Sequence, residues 1–311
     1  MKILLLGYSK IARKRMVSFF IKKKFRLCIA SMSHHKNIKN IVHQYKCYDT
    51  ALKNSMADIV YISLPNSIHF KWAYKALSHG YHVIVDKPLC DTTLELKKLI
   101  NLSRKKKKLL TEATYFNYHS QFTKSLKLIE NLDNIKKISA NFTIPMPKKN
   151  SLLLSKALNG GAIMDMSPYA AAVARLFCQE KIISFKVLEK KKEGLTTSFK
   201  FLINFKNKVY SGTFRFGGKY TNRLSIYTKK NLIILNRVFS PPANENLYLK
   251  TKQNKILKKY KLKKDDCFEN FFNEVCEKIL KKDYYFYENQ IKYDNFFRNK
   301  ILKKINFRKF P

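Results

Sequence analysis

Short continuous apolar runs alternate with amphipathic segments through the first 120 residues. Each run predicts a buried strand, because a strand covered on both faces lacks a polar side. The predicted strands lie at 2–6, 25–31, 58–64, 108–113 and in the run that begins at 83; the predicted helices lie at 9–22, 36–46, 69–79 and 93–106. This alternation predicts an α/β domain with a parallel, doubly wound sheet.

Beyond residue 119 the rhythm changes to one helix and a series of short strands. The predicted strands lie at 135–144, 182–187, 196–205, 209–216, 224–228 and 231–235, with helices at the end of 160–177 and at 268–280. Consecutive strands favour an antiparallel arrangement. We therefore predict an α+β domain with an open, mostly antiparallel sheet over 120–311, after a first domain over 1–119.

Composition narrows the classes of function. The chain has 311 residues, a net charge of +42 and 45% hydrophobic residues. Of its 63 basic residues 53 are Lys and 10 are Arg, spread along the chain without a patch, which argues against specific nucleic-acid binding. The same charge favours anionic ligands.

Membrane and metal sites are not expected. No apolar run approaches the ~20 residues of a membrane span, and the run after Met1 is too short for a signal peptide. The six cysteines are scattered, which predicts reduced thiols in a cytoplasmic protein and neither a zinc site nor a disulfide framework.

The first strand ends in Gly7-x-Ser9-x-x-Ala12, an imperfect copy of the dinucleotide fingerprint. Gly7 allows the tight turn, Ser9 replaces the second glycine, and Ala12 permits close packing of helix on strand. With Lys10 and Ile11 these residues are predicted to hold the pyrophosphate of a dinucleotide at the start of the helix.

Two further strand ends are predicted to contact the cofactor. The second is followed by Ser31-Met32-Ser33-His34-His35-Lys36, which lacks a carboxylate for the ribose diol. Ser31 and Ser33 with the cations that follow favour NADP over NAD; an ordinary polar loop is the alternative. The third strand ends in a turn whose predicted contacts are Leu64, Pro65, Asn66 and His69.

Lys87 lies at the end of the run Val83–Leu89, between Asp86 and Pro88. Proline fixes its own φ and biases Lys87 towards extended backbone, so the ammonium has a restricted direction. It is predicted to hold a substrate oxygen, the alternative being a surface lysine beside a turn.

Farther on, Asp165 and Tyr169 follow Gly160-Gly161 and share one helix face. The glycines are predicted to let the backbone approach a ligand; a core tyrosine is the alternative for Tyr169.

The order of these motifs, with Thr111-Glu112-Ala113 between the last two, resembles the glucose–fructose oxidoreductase / inositol dehydrogenase / rhizopine-catabolism family over roughly residues 1–180. The resemblance implies a Rossmann domain followed by an α/β domain whose open sheet often mediates homo-oligomers. Lys87 matches the lysine of the family's Glu-Lys-Pro motif, with Asp86 in place of glutamate. Tyr169 stands where many members have histidine; a tyrosine there is similar to the glucose–fructose oxidoreductase, dihydrodiol dehydrogenase and nucleotide-sugar ketoreductase branches.

The resemblance implies an NAD(P)-dependent oxidoreductase that acts on a sugar-like substrate. In this hypothesis Tyr169 is the acid/base, Lys87 polarises the substrate oxygen and favours the phenolate of Tyr169, Asp165 orients a hydroxyl, and Asp86 contacts the cofactor. Two alternatives remain open from the sequence: a non-catalytic dinucleotide-binding regulator or assembly partner on the same fold, and a nucleic-acid-binding protein.

Overall fold

A computed structural model describes residues 1–32 and 38–305. Its contacts divide the chain into two compact units. The first comprises Met1–Ala113 and Glu274–Asn295, and the second comprises Thr114–Asn273 and the chain from Phe296. This division by contacts does not test the predicted boundary between functional domains at residue 119, which stays a prediction.

The first unit is built on six parallel strands: β1 (Lys2–Leu6), β2 (Arg26–Ala30), β3 (His43–Tyr45), β4 (Ile59–Ile62), β5 (His82–Val85) and β6 (Leu110–Glu112). Their order is β3-β2-β1-β4-β5-β6. This is the strand order of dinucleotide-binding sheets, whose ligands lie where the order reverses, between β1 and β4. The predicted parallel, doubly wound sheet is confirmed.

Helices connect these strands. They are α1 (Ser18–Lys22) after a π-helical segment at Ala12–Val17, α2 (Tyr48–Asn54), α3 (His69–Ser78) and α4 (Thr93–Lys106). Helix α4 begins with a capping box, in which the Thr92 hydroxyl accepts from the Glu95 N–H and the Glu95 carboxylate accepts from the Thr92 N–H. The bounds of α4 agree with the predicted ones, because the capping box marks its start in the sequence and the end of the apolar periodicity marks its last residues.

The predicted helix over 36–46 is wrong within the described residues. His43–Tyr45 forms β3 instead and pairs in parallel with β2, Cys28 facing His43. The next helix begins only at Tyr48. Pairing with an existing strand edge decided the structure here, and tertiary pairing of this kind overrides local propensity.

The second unit contains an eight-stranded sheet. Its strands are β7 (Ile135–Ile144), β8 (Ile182–Lys192), β9 (Leu195–Phe205), β10 (Val209–Phe216), β11 (Thr221–Thr228), β12 (Leu232–Asn236), β13 (Tyr248–Gln253) and β14 (Ile256–Lys261), in the order β14-β13-β12-β11-β7-β10-β9-β8. Only the β7–β10 pair among them is parallel, which confirms the predicted mostly antiparallel sheet.

Helix α5 (Ser120–Ile129) precedes β7, and α6 (Ala162–Phe177) packs against β9 and β10. Helices α7 (Cys267–Leu280) and α8 (Glu288–Ile305) follow the sheet. Sequence patterns missed α5, α8 and the hairpin of β13 and β14. Every residue of β14 except Tyr260 is exposed, so this strand has no apolar alternation to reveal it.

A buried lysine stabilises the second unit. Lys208 is 3% exposed; its ammonium donates to the carbonyls of Leu132 and Phe177 at 2.9 and 3.3 Å and lies 3.0 Å from a carboxylate oxygen of Glu180.

We expect Lys208→Met to lower the free energy of unfolding by about 3 kcal/mol, because it leaves two carbonyls without this donor and the Glu180 carboxylate without its ion-pair partner. Urea denaturation measures this. Lys200→Met, at an exposed position of β9, should change stability by less than ~0.5 kcal/mol; equal effects would contradict the assignment.

Membrane-spanning helices and metal-binding groups of side chains are absent from the described part of the chain. Within 1–32 and 38–305, no helix is long and apolar enough to cross a membrane. In the same ranges, no three His, Cys, Asp or Glu side chains form a group that could hold a metal ion.

Candidate functional site

The turn after β1 requires glycine at position 7. Gly7 has φ of +96°, and a Cβ atom there would lie 2.1 Å from the carbonyl oxygen of Ser63. The Gly7 N–H donates to the Ala30 carbonyl at 2.9 Å. The turn is therefore pressed against the ends of both neighbouring strands, at the point where the strand order reverses.

Ser9, the departure from the fingerprint, has a structural role in this turn. Its hydroxyl accepts from the Ala12 N–H at 3.0 Å and lies 3.3 Å from the Ser63 hydroxyl. Lys10 and Ile11 are exposed and Ala12 is buried. Ser9 thus satisfies one of the N–H groups that a helix start leaves without a partner.

The other predicted cofactor contacts follow β2 and β4. Ser31 is buried, and its N–H donates to the Tyr45 carbonyl at 3.0 Å. Ser33 lies outside the described residues. Leu64, Pro65 and Asn66 are half-buried directly after the β4 end. The structure thus brings these predicted residues to the carboxyl edge of the parallel sheet.

His69 has another place than the one predicted. Its ring is fully buried, with Nδ1 2.7 Å from the Pro88 carbonyl oxygen and Nε2 2.7 Å from that of Leu64. Both nitrogens are engaged with the protein, so the ring ties two loops together and offers no surface to a ligand in this structure. The predicted contact of His69 with the cofactor stays a prediction.

The segment Asp86–Leu89, which carries Lys87, is held on both sides. The Asp86 carboxylate accepts from the Tyr61 hydroxyl at 2.8 Å and from the Ser63 hydroxyl at 2.7 Å. The Leu89 N–H donates to the Glu112 carboxylate at 2.7 Å. The Lys87–Pro88 peptide is cis, and the Lys87 side chain is half-buried. The lysine is therefore fixed through its neighbours at the carboxyl end of β5.

Sequence patterns gave no role to Tyr61 or Ser63 and named Glu112 only as part of the Thr111-Glu112-Ala113 motif. Tyr61 is a fully buried strand residue, Ser63 follows the strand end, and Glu112 is 3% exposed on β6. The one available signal was a carboxylate and a phenol inside otherwise apolar strands, because buried polar groups need partners.

In the second unit, Asp165 and Tyr169 lie one turn apart on α6, and both are half-buried. The Tyr169 ring lies 5.2–5.6 Å, between centroids, from the rings of Phe116, Phe142 and Phe239. Aromatic rings on several sides restrict the orientation of the phenol. The prediction that Asp165 and Tyr169 share a helix face is confirmed, whereas coupling of Lys87 to Tyr169 stays a prediction.

The two glycines before α6 lie against the preceding turn, and their predicted approach to a ligand stays a prediction. A Cβ atom at Gly160 would lie 2.6–2.9 Å from the carbonyl oxygens of 152, 153 and 155. The Gly160 and Gly161 N–H groups donate to the Ser155 and Leu153 carbonyls at 2.8 and 2.7 Å. The close approach is to the preceding turn, and it fixes where α6 begins.

A buried polar turn supports Phe116. His119 is 1% exposed, and its Nδ1 accepts from the Gln121 N–H at 3.1 Å. Asp265 accepts from the Ser120 N–H at 2.6 Å. Burial lowers the pKa of His119, and the negative charge of Asp265 opposes that shift. A neutral ring then holds the turn that places Phe116 against Tyr169.

The chain is similar in sequence to known oxidoreductases. Residues 1–114 match the model of the Gfo/Idh/MocA oxidoreductases, a family with an NAD-binding Rossmann fold. The match covers the first unit up to its last strand. Among curated relatives, dTDP-3,4-didehydro-2,6-dideoxy-alpha-D-glucose 3-reductase of Streptomyces violaceoruber is 27% identical over 257 residues, 78% of this chain and 75% of the relative. D-xylose 1-dehydrogenase (NADP(+)) 2 of Haloferax volcanii is 30% identical over 43% of this chain and 42% of its own length.

Solved structures share the fold of this chain over nearly its full length. KijD10, a 3-ketoreductase from Actinomadura kijaniata solved with NADP and TDP-benzene, superposes with a TM-score of 0.89 at 20% identity, covering 98% of this chain and 97% of KijD10. The aldose-aldose oxidoreductase from Caulobacter crescentus gives a TM-score of 0.84 at 17% identity, covering 98% of this chain and 97% of that structure. Both compact units therefore have counterparts of the same fold in these two structures.

Proposed function

We propose that this protein is an NAD(P)-dependent oxidoreductase that acts on the keto or carbinol carbon of a nucleotide-linked sugar, with NADP as the favoured cofactor. The observation that carries the proposal is the likeness to the dTDP-keto-sugar 3-reductase of S. violaceoruber, which spans 78% of this chain. Three further reductases of the same name, among them that of Saccharopolyspora spinosa, match 60–75% of the chain.

The residues of the first unit fit a dinucleotide. A Cβ at Gly7 would collide with Ser63, so the turn carries no side chain where backbone has to approach a ligand. The end of β2 carries Ser31 and no carboxylate, which suits a 2′-phosphate better than a free ribose diol. When bound, the nicotinamide supplies the hydride. Gly7, Ser9, Lys10, Ile11 and Ala12 would hold the pyrophosphate.

Three side chains are proposed to serve the reaction. Tyr169 exchanges the proton of the substrate oxygen, Lys87 polarises that oxygen, and Asp165 orients a hydroxyl of the sugar. The motif order supports these roles, as does the rigid setting of two of the groups: Lys87 through Asp86 and Leu89, and Tyr169 through its three aromatic neighbours. The net charge of +42 favours a substrate with a diphosphate.

The direct test is reduction of a keto sugar. The purified protein is mixed with NADPH and a dTDP-linked 3-keto sugar generated in situ, and loss of NADPH absorbance is followed. We expect consumption of NADPH with the nucleotide-linked sugar and slower consumption with the free keto sugar. Binding of NADPH without turnover of any keto sugar would contradict catalysis and favour the non-catalytic regulator.

We further propose a cytoplasmic homo-oligomer, dimer or tetramer, that associates through the eight-stranded sheet. All six cysteines are free thiols, which supports a reducing compartment. Helix α6 packs on β9 and β10 through their buried residues, while Leu202 and Tyr227 are exposed on the sheet. Light scattering should give two or four times the chain mass of 36.7 kDa. A monomer at micromolar concentration would contradict the assembly and leave the catalytic proposal unaffected.

A further inference from the structure

The two departures of the first unit from its family pattern, Ser9 and Asp86, are joined by hydrogen bonds. Ser63 lies between them: its hydroxyl is 3.3 Å from that of Ser9 and 2.7 Å from a carboxylate oxygen of Asp86. Tyr61 donates to the other oxygen of Asp86 at 2.8 Å. Four polar side chains from three strand ends thus form one chain of hydrogen bonds within a single compact unit.

The direction of each hydrogen bond follows from the donors available. A hydroxyl has one proton, and that of Ser63 is donated to Asp86, so Ser63 receives from Ser9. Ser9 in turn accepts from the Ala12 N–H at 3.0 Å. The donors in order are therefore the Ala12 N–H, the Ser9 hydroxyl and the Ser63 hydroxyl, and the Asp86 carboxylate is the final acceptor, with Tyr61 as its second donor.

Ser63 also contacts the nucleotide turn through its backbone. Its N–H donates to the Leu6 carbonyl at 2.8 Å, and its carbonyl oxygen occupies the space beside Gly7. At the other end, the Asp86 N–H donates to the Ile62 carbonyl at 2.9 Å. A displacement of Ser63 would therefore move the Gly7 turn and the residue before Lys87 together.

We propose that Tyr61 and Ser63 are positioning residues that join the nucleotide turn Gly7–Ser9 to the Asp86–Lys87 segment, so that cofactor affinity and the placement of Lys87 depend on one network. The inference rests on the proposed function for its kinetic part only. The network also explains why aspartate, and not the glutamate of the family pattern, stands at position 86. Both carboxylate oxygens of Asp86 already reach hydroxyl donors on β4 and beside it, and the additional methylene of glutamate would push them past those donors.

The test compares two buried tyrosines of the same unit. Tyr61→Phe removes one donor to Asp86 and keeps the ring. Tyr81→Phe is the matched control, because Tyr81 is 8% exposed and its hydroxyl donates to the Leu52 carbonyl at 2.6 Å, without contact to Asp86. We expect both variants to lower the urea midpoint, since Tyr61→Phe loses the hydrogen bond to Asp86 and Tyr81→Phe loses those to the Leu52 carbonyl and the Ser55 hydroxyl.

Of the two tyrosine variants, only Tyr61→Phe should alter cofactor binding and turnover. NADPH fluorescence titration should show a Kd raised about threefold, and kcat should fall about tenfold, since small misplacements of a catalytic group are costly. Tyr81→Phe should leave both within twofold. Ser9→Ala should raise the Kd to a similar extent, and Ser9→Thr, which keeps a hydroxyl, should restore it. The double variant Ser9→Ala/Tyr61→Phe should raise the Kd by less than the product of the single effects, because both act through Asp86.

The outcomes separate this inference from the proposed function. If Tyr61→Phe matches Tyr81→Phe in Kd and kcat, or if the two single effects on Kd multiply, the network has no positioning role. If the wild type binds NADPH but reduces no keto sugar, the proposed function fails, and the Kd comparison still decides the inference. A wild type that binds no NADPH would overturn both.

Discussion

Replacement of Tyr169 by phenylalanine should lower kcat by about 10²–10⁴, the usual contribution of a positioned acid or base. NADPH affinity and the urea midpoint should stay near the wild-type values. The phenylalanine ring keeps the contacts with Phe116, Phe142 and Phe239, whose centroids lie 5.2–5.6 Å away. The substitution thus removes the hydroxyl and leaves the packing in place.

A second tyrosine of the same unit provides the control for Tyr169→Phe. Tyr210 is fully buried, and its hydroxyl donates to the Ala170 carbonyl on α6 at 3.2 Å. Tyr210→Phe should lower stability by about 1 kcal/mol and leave kcat within twofold. Steady-state kinetics with NADPH and a dTDP-linked keto sugar measures both variants. Wild-type turnover by Tyr169→Phe would remove Tyr169 from the catalytic assignment.

Replacement of Gly7 by alanine should abolish measurable NADPH binding and lower the free energy of unfolding by about 3 kcal/mol or more. The added Cβ would lie 2.1 Å from the Ser63 carbonyl oxygen, a backbone atom that moves only with the end of β4. A φ of +96° adds the ordinary cost of a side chain in that region. The turn lies where the strand order of the sheet reverses. Its displacement therefore also removes the surface on which a dinucleotide would lie.

Gly80 separates the steric effect from the conformational one. It also has a positive φ, +82°, but a Cβ there meets no atom within 4 Å. Gly80→Ala should cost only about 1–2 kcal/mol and leave NADPH affinity unchanged. Urea denaturation and fluorescence titration of both variants provide the comparison, and equal losses would show that the contact with Ser63 is unimportant.

The sequence predicts the parallel sheet well because each of its main strands is an apolar run that ends in a polar or glycine residue. Gly7 and Asp86-Lys87 could be placed at strand ends for that reason, as the structure confirms. Tyr61 could not be found in this way, because a tyrosine in an apolar strand has the same pattern whether or not its hydroxyl meets a carboxylate. Only the fold shows that the β4 end brings Ser63 within 2.7 Å of Asp86.

Gly160 shows a second limit of sequence patterns. A pair of glycines indicates that backbone comes close to something, but the pattern contains no information about the partner. Here the partners are the carbonyl oxygens of 152, 153 and 155 in the same chain. Likewise, β3 formed where a helix was expected, since the available edge of β2 lies outside any local window.

The lysines of this chain also protect its large sheet against misassembly. Its two outermost strands, β8 and β14, have exposed lysines at 186, 190, 192, 258, 259 and 261. An edge strand offers unpaired N–H and C=O groups to any further strand, and rows of like charge oppose edge-to-edge growth of a sheet. The lysines that give the chain its high net charge thus also stand where they oppose the addition of a further strand to either edge of the sheet.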